Sequence, residues 1–284
     1  AMIDVCPKSC QMKDKEGNLA IHSACETPNI CVETIKMLVA GYPDGCGYKD
    51  KDGNLPIHSA LSRGDFMPLE AIQALLPAYS KATTTKNGDG HIPLILAICC
   101  CSKNSAIMLN KVKYLLQADP SSAEYFNYKW NEYPLHGAAK KGEVALLKAL
   151  VEAAPKVAGW KDKSSQLPLH VHLSQDFNNR DGIHKRSAEI VNVLLDAYPE
   201  ASVARDNYYK TPLNTILSNI FCKTAEKHEF VKILLDKGNK KACELKAQDG
   251  NLPLHTAIET PETNKETVIL IAETWPDACK VKDK

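Results

Sequence analysis

Five of the nine histidines fall at one place in a recurring phrase. His22, His58, His136, His170 and His255 each stand two residues after Ala20, Pro56, Pro134, Pro168 or Pro253. An imidazole can ligate a metal, act as a base or bridge two polar groups, so the recurrence raises a question of chemistry. Eleven cysteines raise a second, above all the run Cys99-Cys100-Cys101 and the pair Cys6 and Cys10. The polar stretch SQDFNNRDGIHKRS (174–187) raises a third, because it hints at a calcium loop. A catalytic or metal role needs several such groups to converge on one point. Consecutive helical residues point in different directions, so the cysteine run cannot close one site. Cys6 and Cys10 lack a second pair at zinc-ribbon spacing. Counted from Asp176, the calcium-loop pattern meets Arg180 at its fifth position and Ser187 at its twelfth, where oxygen ligands and a glutamate belong. Phosphate-binding, zinc-protease and nucleophile-elbow motifs are absent. The expectation is no catalysis, no cofactor and no metal site, with Cys99 and Cys100 acting as small apolar fillers.

The elements that carry the histidines come from a repeat. Anchored on the residue two before the histidine position, equivalents stand at Ala20, Pro56, Pro93, Pro134, Pro168, Pro212 and Pro253. That divides one array, residues 1–284, into seven units near 13–48, 49–85, 86–126, 127–160, 161–204, 205–245 and 246–281. Each unit opens on a polar turn, often with glycine (Gly17, Gly53, Gly90, Gly250), where a positive φ is expected. Proline then starts a short apolar helix, since its missing N–H needs no partner at the first helical position. A second helix follows with core spacing, as in Val32/Ile35/Leu38/Val39, Val144/Leu147/Leu150/Val151 and Ala188/Val191/Leu194/Leu195. A break such as Tyr42-Pro43, Ala154-Pro155, Tyr198-Pro199 or Trp275-Pro276 closes the unit. Two short helices cannot bury their apolar faces alone, but stacked neighbours can. The predicted fold is therefore an all-α solenoid of helix-turn-helix units with β-hairpin-like turns.

The pattern D-x-x-G-x-x-P-L-H-x-A followed by a V-x-x-L-L helix resembles the ankyrin repeat, over nearly the whole chain. The variant G-N-L-P-L-H … A-Y-P-x-A is similar to arrays of single-celled eukaryotes. The resemblance implies paired antiparallel helices, protruding turns, and a concave face of turn tips and inner helices that takes a protein or peptide. It also implies that the histidine is a structural bridge, held partly by a threonine just before the proline. Here that position holds Leu19, Leu55, Leu167 or Leu252, and only Thr211 restores it, so a backbone partner is expected. Ile95 and Asn214 replace the histidine in two units. His172 occupies a small-residue position of the inner helix and reads as a satisfied interior histidine, with a pH-sensitive contact as the competing reading.

Bulk properties narrow the partner. The chain has 284 residues, 44% of them hydrophobic, with 35 basic against 34 acidic side chains and a net charge of +1. This balance argues against nucleic acid or a membrane surface held by charge, and no apolar run is long enough to insert in a bilayer. An odd number of cysteines and the lack of glycosylation sequons suit free thiols in an intracellular, cytoplasmic setting. Residues 3–12 align with the tail of a truncated upstream unit and 282–284 with the start of another, so a piece of a longer array is expected, monomeric or weakly associating end to end.

Partner contacts are expected on the turns. The tip position runs Glu16, Asp52, Asp89, Trp130, Ser164, Tyr208 and Asp249. Mid-array it changes from polar to aromatic, with Tyr128 and Tyr209 beside it. Exposed aromatics of this kind are enriched at binding hot spots; packing within the turn is the alternative. Tyr209 also replaces the expected turn glycine. Phe126 and Trp160 share a position that could instead pack between units. The candidate binding residues are Trp130, Tyr208, Tyr209, Tyr128, Ser164, Asp52 and Asp89, with Ser59, Gly137, Val171, Thr215 and Thr256 as exposed inner-helix positions. On the opposite edge, extra residues are expected as long loops at 101–109, 174–187 and 218–227. The functional expectation is a non-enzymatic interaction module, a scaffold or adaptor. The alternative is the recognition domain of a larger enzyme, channel or ubiquitin-ligase component.

Overall fold

The computed structural model describes residues 7–100, 105–175 and 187–281. Its helices pack into two compact units, residues 1–134 and 135–284. The first holds three helix pairs: α1 (Ala20–Glu26) with α2 (Val32–Gly41), α3 (Pro56–Ser62) with α4 (Leu69–Leu75), and α5 (Pro93–Cys100) with α6 (Ser105–Ala118). The second holds four: α7 (Pro134–Lys141) with α8 (Val144–Ala153), α9 (Pro168–Ser174) with α10 (Ala188–Ala197), α11 (Pro212–Leu217) with α12 (Thr224–Lys237), and α13 (Pro253–Glu259) with α14 (Lys265–Thr274). Proline is the first residue of six of the seven short helices, as its fixed φ and missing donor favour.

Within each unit, helices stack on their counterparts in the next repeat. Helix α1 lies on α3 and α3 on α5, while α2 lies on α4; in the second unit α9 lies on α11 and α11 on α13, and α8, α10, α12 and α14 form the second row. The core between the rows is aliphatic. Leu55, Ile57, Ala60, Leu61 and Ile72 in the first unit, and Leu169, Leu173, Val191, Leu194, Leu213 and Leu217 in the second, are all buried. Each fully buried aliphatic side chain stabilises by about 1.5–3 kcal/mol. A short 3-10 turn closes each pair, as at Pro43–Gly47, Pro155–Gly159 and Pro199–Val203, and Pro7–Gln11 is a turn of the same kind ahead of α1.

The turns keep little of a β-hairpin. Most close on two backbone bonds, such as Asp50 N–H to Asn54 C=O at 2.9 Å with Gly53 N–H to Asp50 C=O at 3.1 Å, and Asp206 N–H to Lys210 C=O with Tyr209 N–H to Asp206 C=O, both at 3.0 Å. Among the described residues only Lys13–Leu19 and Asn127–Glu132 form isolated bridges. An aspartate at the turn entry does the remaining work. Asp50 Oδ1 accepts the N–H groups of Asp52 and Asn54, Asp162 Oδ1 those of Ser164 and Gln166, and Asp206 Oδ1 those of Tyr208 and Lys210.

Two of the expected long loops are helical in part. Helices α6 and α12 each have 14 residues, where α2, α8, α10 and α14 have 10. The extra residues at 105–109 and 224–227 extend the second helix by a turn, because propagation adds a hydrogen bond for each residue fixed. Only 218–223 remains a connector there. Residues 101–104, Cys6, and most of the 174–187 stretch lie outside the described residues, as do 282–284.

Candidate functional site

The repeated histidines are bridges. In His22, His58, His170 and His255, Nδ1 accepts the backbone N–H of the residue before the helix, Leu19, Leu55, Leu167 or Leu252, at 3.0–3.3 Å. Since a backbone N–H can only donate, Nε2 carries the ring proton. Nε2 donates to the backbone carbonyl of Tyr48, Thr85, Lys210 or Val281, and in His136 to that of Gln166, at 3.0–3.2 Å. For His22, His58, His136 and His170 the acceptor lies at the entry or exit of the following turn, so these histidines join one repeat to the next. Burial holds His58, His136 and His170 neutral, with pKa values depressed from 6.5 to about 4. In one of the two units lacking the histidine, Asn214 and Thr211 replace it: Thr211 Oγ1 donates to Asn214 Oδ1 at 2.7 Å and accepts the Asn214 N–H at 3.3 Å. His172 is fully buried and takes the opposite tautomer, Nδ1 donating to Ala139 C=O at 3.0 Å and Nε2 accepting the Ser187 N–H at 3.2 Å. It is an interior histidine that ties α9 to α7 and to the start of α10.

Turn tips combine an internal backbone role with exposed side chains. The Asp52 carbonyl accepts the Gly88 N–H at 3.0 Å, the Ser164 carbonyl the Asn207 N–H at 3.1 Å, and the Tyr208 carbonyl the Gln248 N–H at 3.1 Å. The side chains of Asp52, Asp89 and Ser164 are exposed. So are those of Tyr128 (73%), Tyr208 (62%) and Tyr209 (55%). The residue after each tip has a positive φ: Gly17, Gly53, Gly90 and Gly250 at +75° to +86°, and Asn131, Ser165 and Tyr209 at +57° to +58°. A tyrosine there is held against its backbone preference. The Arg205 guanidinium lies over its ring at 5.9 Å.

In the first unit Trp130 is 38% exposed and rests on the buried His91, ring centroids 4.5 Å apart, so exposure and turn packing coexist in it. Asp89 pairs with Lys129, whose hydrogen bond lowers the carboxyl pKa. Phe126 packs edge-on against Tyr128 and Tyr133 at 5.0 Å.

Three of the inner-helix positions expected to be exposed are buried: Ser59, Val171 and Thr215. They face neighbouring backbone or side chains; Ser59 Oγ donates to Glu26 Oε1 at 3.3 Å and Thr215 Oγ1 to Thr211 C=O at 3.0 Å. Gly137 and Thr256 are half-buried. Cys99 is exposed and Cys100 half-buried, contrary to a filler role, because Ile98 takes the buried face of that last turn. Cys10, Cys25, Cys46, Cys222 and Cys243 are the buried fillers.

Within the second unit the turns and the α11–α12 connector enclose a cleft of about 270 Å³, with Tyr208, Lys210, Thr215, Ser218, Ile220 and Phe221 in its wall. A second cleft of about 450 Å³ lies on the other side of Tyr208 and Lys210, against Ala247, Gln248 and Asp249. The connector is anchored from below: Asn219 is buried and its Nδ2 donates to the carbonyls of Leu173, at 2.8 Å, and Gln175, at 3.3 Å. Exposed Ile220 and Phe221 are thereby held in place. Sequence periodicity did not single them out, because the connector has none.

Two buried lysines were also missed. Lys111 Nζ donates to Gly64 C=O at 2.5 Å and Lys227 Nζ to Leu217 C=O at 3.1 Å. Each carbonyl lies at or just past the C-terminal end of a short helix, where a cation is favoured. The signal was present: Met108-Lys111-Val112-Leu115 and Lys227-Phe230-Val231-Leu234 are core-spaced sets containing a lysine.

Among the described residues no three of His, Cys, Asp and Glu are placed to hold a metal ion, and no helix is long and apolar enough to cross a membrane. No family model matches the sequence, and no curated protein matches it. Among solved structures, the ankyrin repeat domain of Bcl-3, titled a unique member of the IkappaB protein family, is similar with a TM-score of 0.59. The similarity covers 81% of this chain and 90% of that one at 16% identity. The chain has the ankyrin-repeat fold.

Proposed function

We propose that the chain is a non-enzymatic interaction module whose turn tips and adjoining clefts engage a protein or peptide partner. The fold is one generally used for protein interaction. The observation that carries the reading is Tyr209. A left-handed backbone costs a non-glycine residue about 1–2 kcal/mol, yet here it bears a large ring that remains half in solvent beside the equally exposed Tyr208. Neither ring contributes much to the core, so their use at adjacent tip positions is explained by contact outside the chain. Trp130 and Tyr128 supply a similar aromatic surface on the first unit, which also carries the polar tips Asp52 and Asp89, and Ser164 is a polar tip of the second.

The test is a random peptide library displayed on phage and selected on the wild-type chain. Peptides that survive are titrated against Tyr208→Ala and Trp130→Ala. At least one substitution is expected to weaken binding by tenfold or more. Tyr208→Ala should leave stability within about 0.5 kcal/mol, and Trp130→Ala should cost more because it uncovers His91. Affinities unmoved by both substitutions refute the reading.

A further inference from the structure

We infer that the cleft of the second unit takes an acidic, apolar peptide segment, its carboxylate paired with Lys210 and an apolar side chain lodged between Tyr208 and the Ile220–Phe221 wall. The inference rests on the interaction-module reading and adds the chemistry of the ligand.

The argument begins with charge. Several exposed lysines meet carboxylates of a neighbouring repeat, Lys51 with Glu16, Lys148 with Glu189 and Lys237 with Asp196, and others such as Lys49 and Lys161 donate to a backbone carbonyl of the next turn. Lys210 does neither. It is half-buried, lines both clefts, and donates to Ser218 Oγ at 3.2 Å, with no carboxylate in ion-pair range among the described residues. An ammonium has three N–H donors, so two remain for a ligand. Two aspartates stand nearby without pairing with its ammonium. Asp206 lines the first cleft but is buried, its Oδ1 held by the N–H groups of Tyr208 and Lys210, while Asp162 is bound in the same way in the preceding turn. Against these two carboxylates the two turns carry four cations, Lys161, Lys163, Arg205 and Lys210, and so keep a positive balance.

The second part of the argument is shape. Ile220 is 59% and Phe221 48% exposed on a connector that Asn219 pins to the helix beneath. A fixed apolar wall opposite a tyrosine, with one ammonium between them, matches a carboxylate and an apolar side chain a few residues apart. Aromatic and basic groups also suit single-stranded nucleic acid, but the aliphatic wall, the carboxylate of Asp249 in the second cleft and the near-neutral chain favour a peptide.

The experiment uses fluorescein-labelled nonapeptides and fluorescence anisotropy at low salt with the full chain. One series carries Asp or Glu two to four residues from Leu or Phe. Two others replace the acid by Ser or by Lys, and a U-rich RNA 12-mer is the fourth probe. The acidic series is expected to bind at least tenfold tighter than the Ser series. Lys210→Met should remove about tenfold of that affinity, Lys210→Glu should transfer preference to the Lys series, and Phe221→Ala should weaken all peptides. Unchanged melting temperatures of the Lys210 variants control for folding. If the Ser series binds wild type as tightly and Tyr208→Ala abolishes it, the charge inference falls and the interaction reading stands. Preference for the RNA overturns the inference, and absence of any peptide binding overturns both readings.

Discussion

Acidification should unfold this protein earlier than its carboxylates require. His58, His136 and His170 are fully buried, with native pKa values near 4 against 6.5 in an unfolded chain. Unfolding below pH 6.5 therefore takes up protons, so the stability contributed by neutral histidine is whole above that pH. It drains away as pH falls toward 4. At pH 5.5 an unfolded histidine is about nine-tenths protonated and a native one only a few per cent, an uptake of about 0.9 proton each. At about 1.4 kcal/mol per proton per pH unit, His58 gives the first unit a slope of about 1.2 kcal/mol per pH unit. His136 and His170 give the second about 2.4. His22 and His91, also depressed by burial, add to the first. The cause is local: protonating His58 Nδ1 would set its N–H against the Leu55 N–H 3.0 Å away. Urea unfolding followed by circular dichroism between pH 7.5 and 5 measures the slope, and the histidine Cε1–H resonances report the native pKa values. Stability flat from pH 7 to 5, or Cε1–H resonances of His58, His136 and His170 titrating above pH 6 in the folded protein, would refute the bridging-tautomer argument.

Three further outcomes follow from the same structure. Tyr209→Gly should leave the urea midpoint unchanged or raised, since relief of the left-handed backbone (about 1–2 kcal/mol) offsets the added freedom of the unfolded chain (about 0.4–1 kcal/mol). Gly53→Ala, at φ +75° with its new Cβ 2.8 Å from the Gly88 nitrogen, should destabilise by about 1–2 kcal/mol or more. In a peptide-resolved alkylation experiment at pH 8, exposed Cys31, Cys99 and Cys279 should react within minutes. Cys25, Cys46 and Cys243 should wait for unfolding, since burial raises all three thiol pKa values, that of Cys46 and of Cys243 to about 11.

Much of the fold was legible because its determinants are local and repeated. A proline that must start a helix, a turn glycine at positive φ and a core-spaced second helix can each be read within a dozen residues. Seven occurrences remove the ambiguity of one. What escaped depends on competition between equally local options. Residues 105–109 (SAIML) and 224–227 (TAEK) carry no proline or glycine to stop a helix, and the adjoining helix continues through them. Lys111 and Lys227 look like surface residues by type, and only a carbonyl left open at the end of a neighbouring short helix makes their burial affordable. Ser59, Val171 and Thr215 were misplaced because side-chain size does not reveal how closely the next inner helix approaches.

The proposed site is legible to the degree that the tip position separates two tasks. Its carbonyl bonds the next turn whatever side chain it carries: Asp52, Ser164 and Tyr208 make the same bond with an acid, a hydroxyl and a ring. The aspartate two residues earlier holds the turn shape for all three. Substitution at the tip thus leaves the fold's hydrogen bonds intact, and side-chain identity there is free of the fold's demands. Departure from the repeat is informative at such a position and uninformative at the histidine. There Asn214 with Thr211 is a second solution to the same internal bonding problem. The connector side of the cleft lacks this logic. Ile220 and Phe221 have no counterpart register to depart from, and their placement follows from one buried amide, Asn219, reaching the α9 end. Asn219→Ala would be felt at the cleft before it was felt in the core.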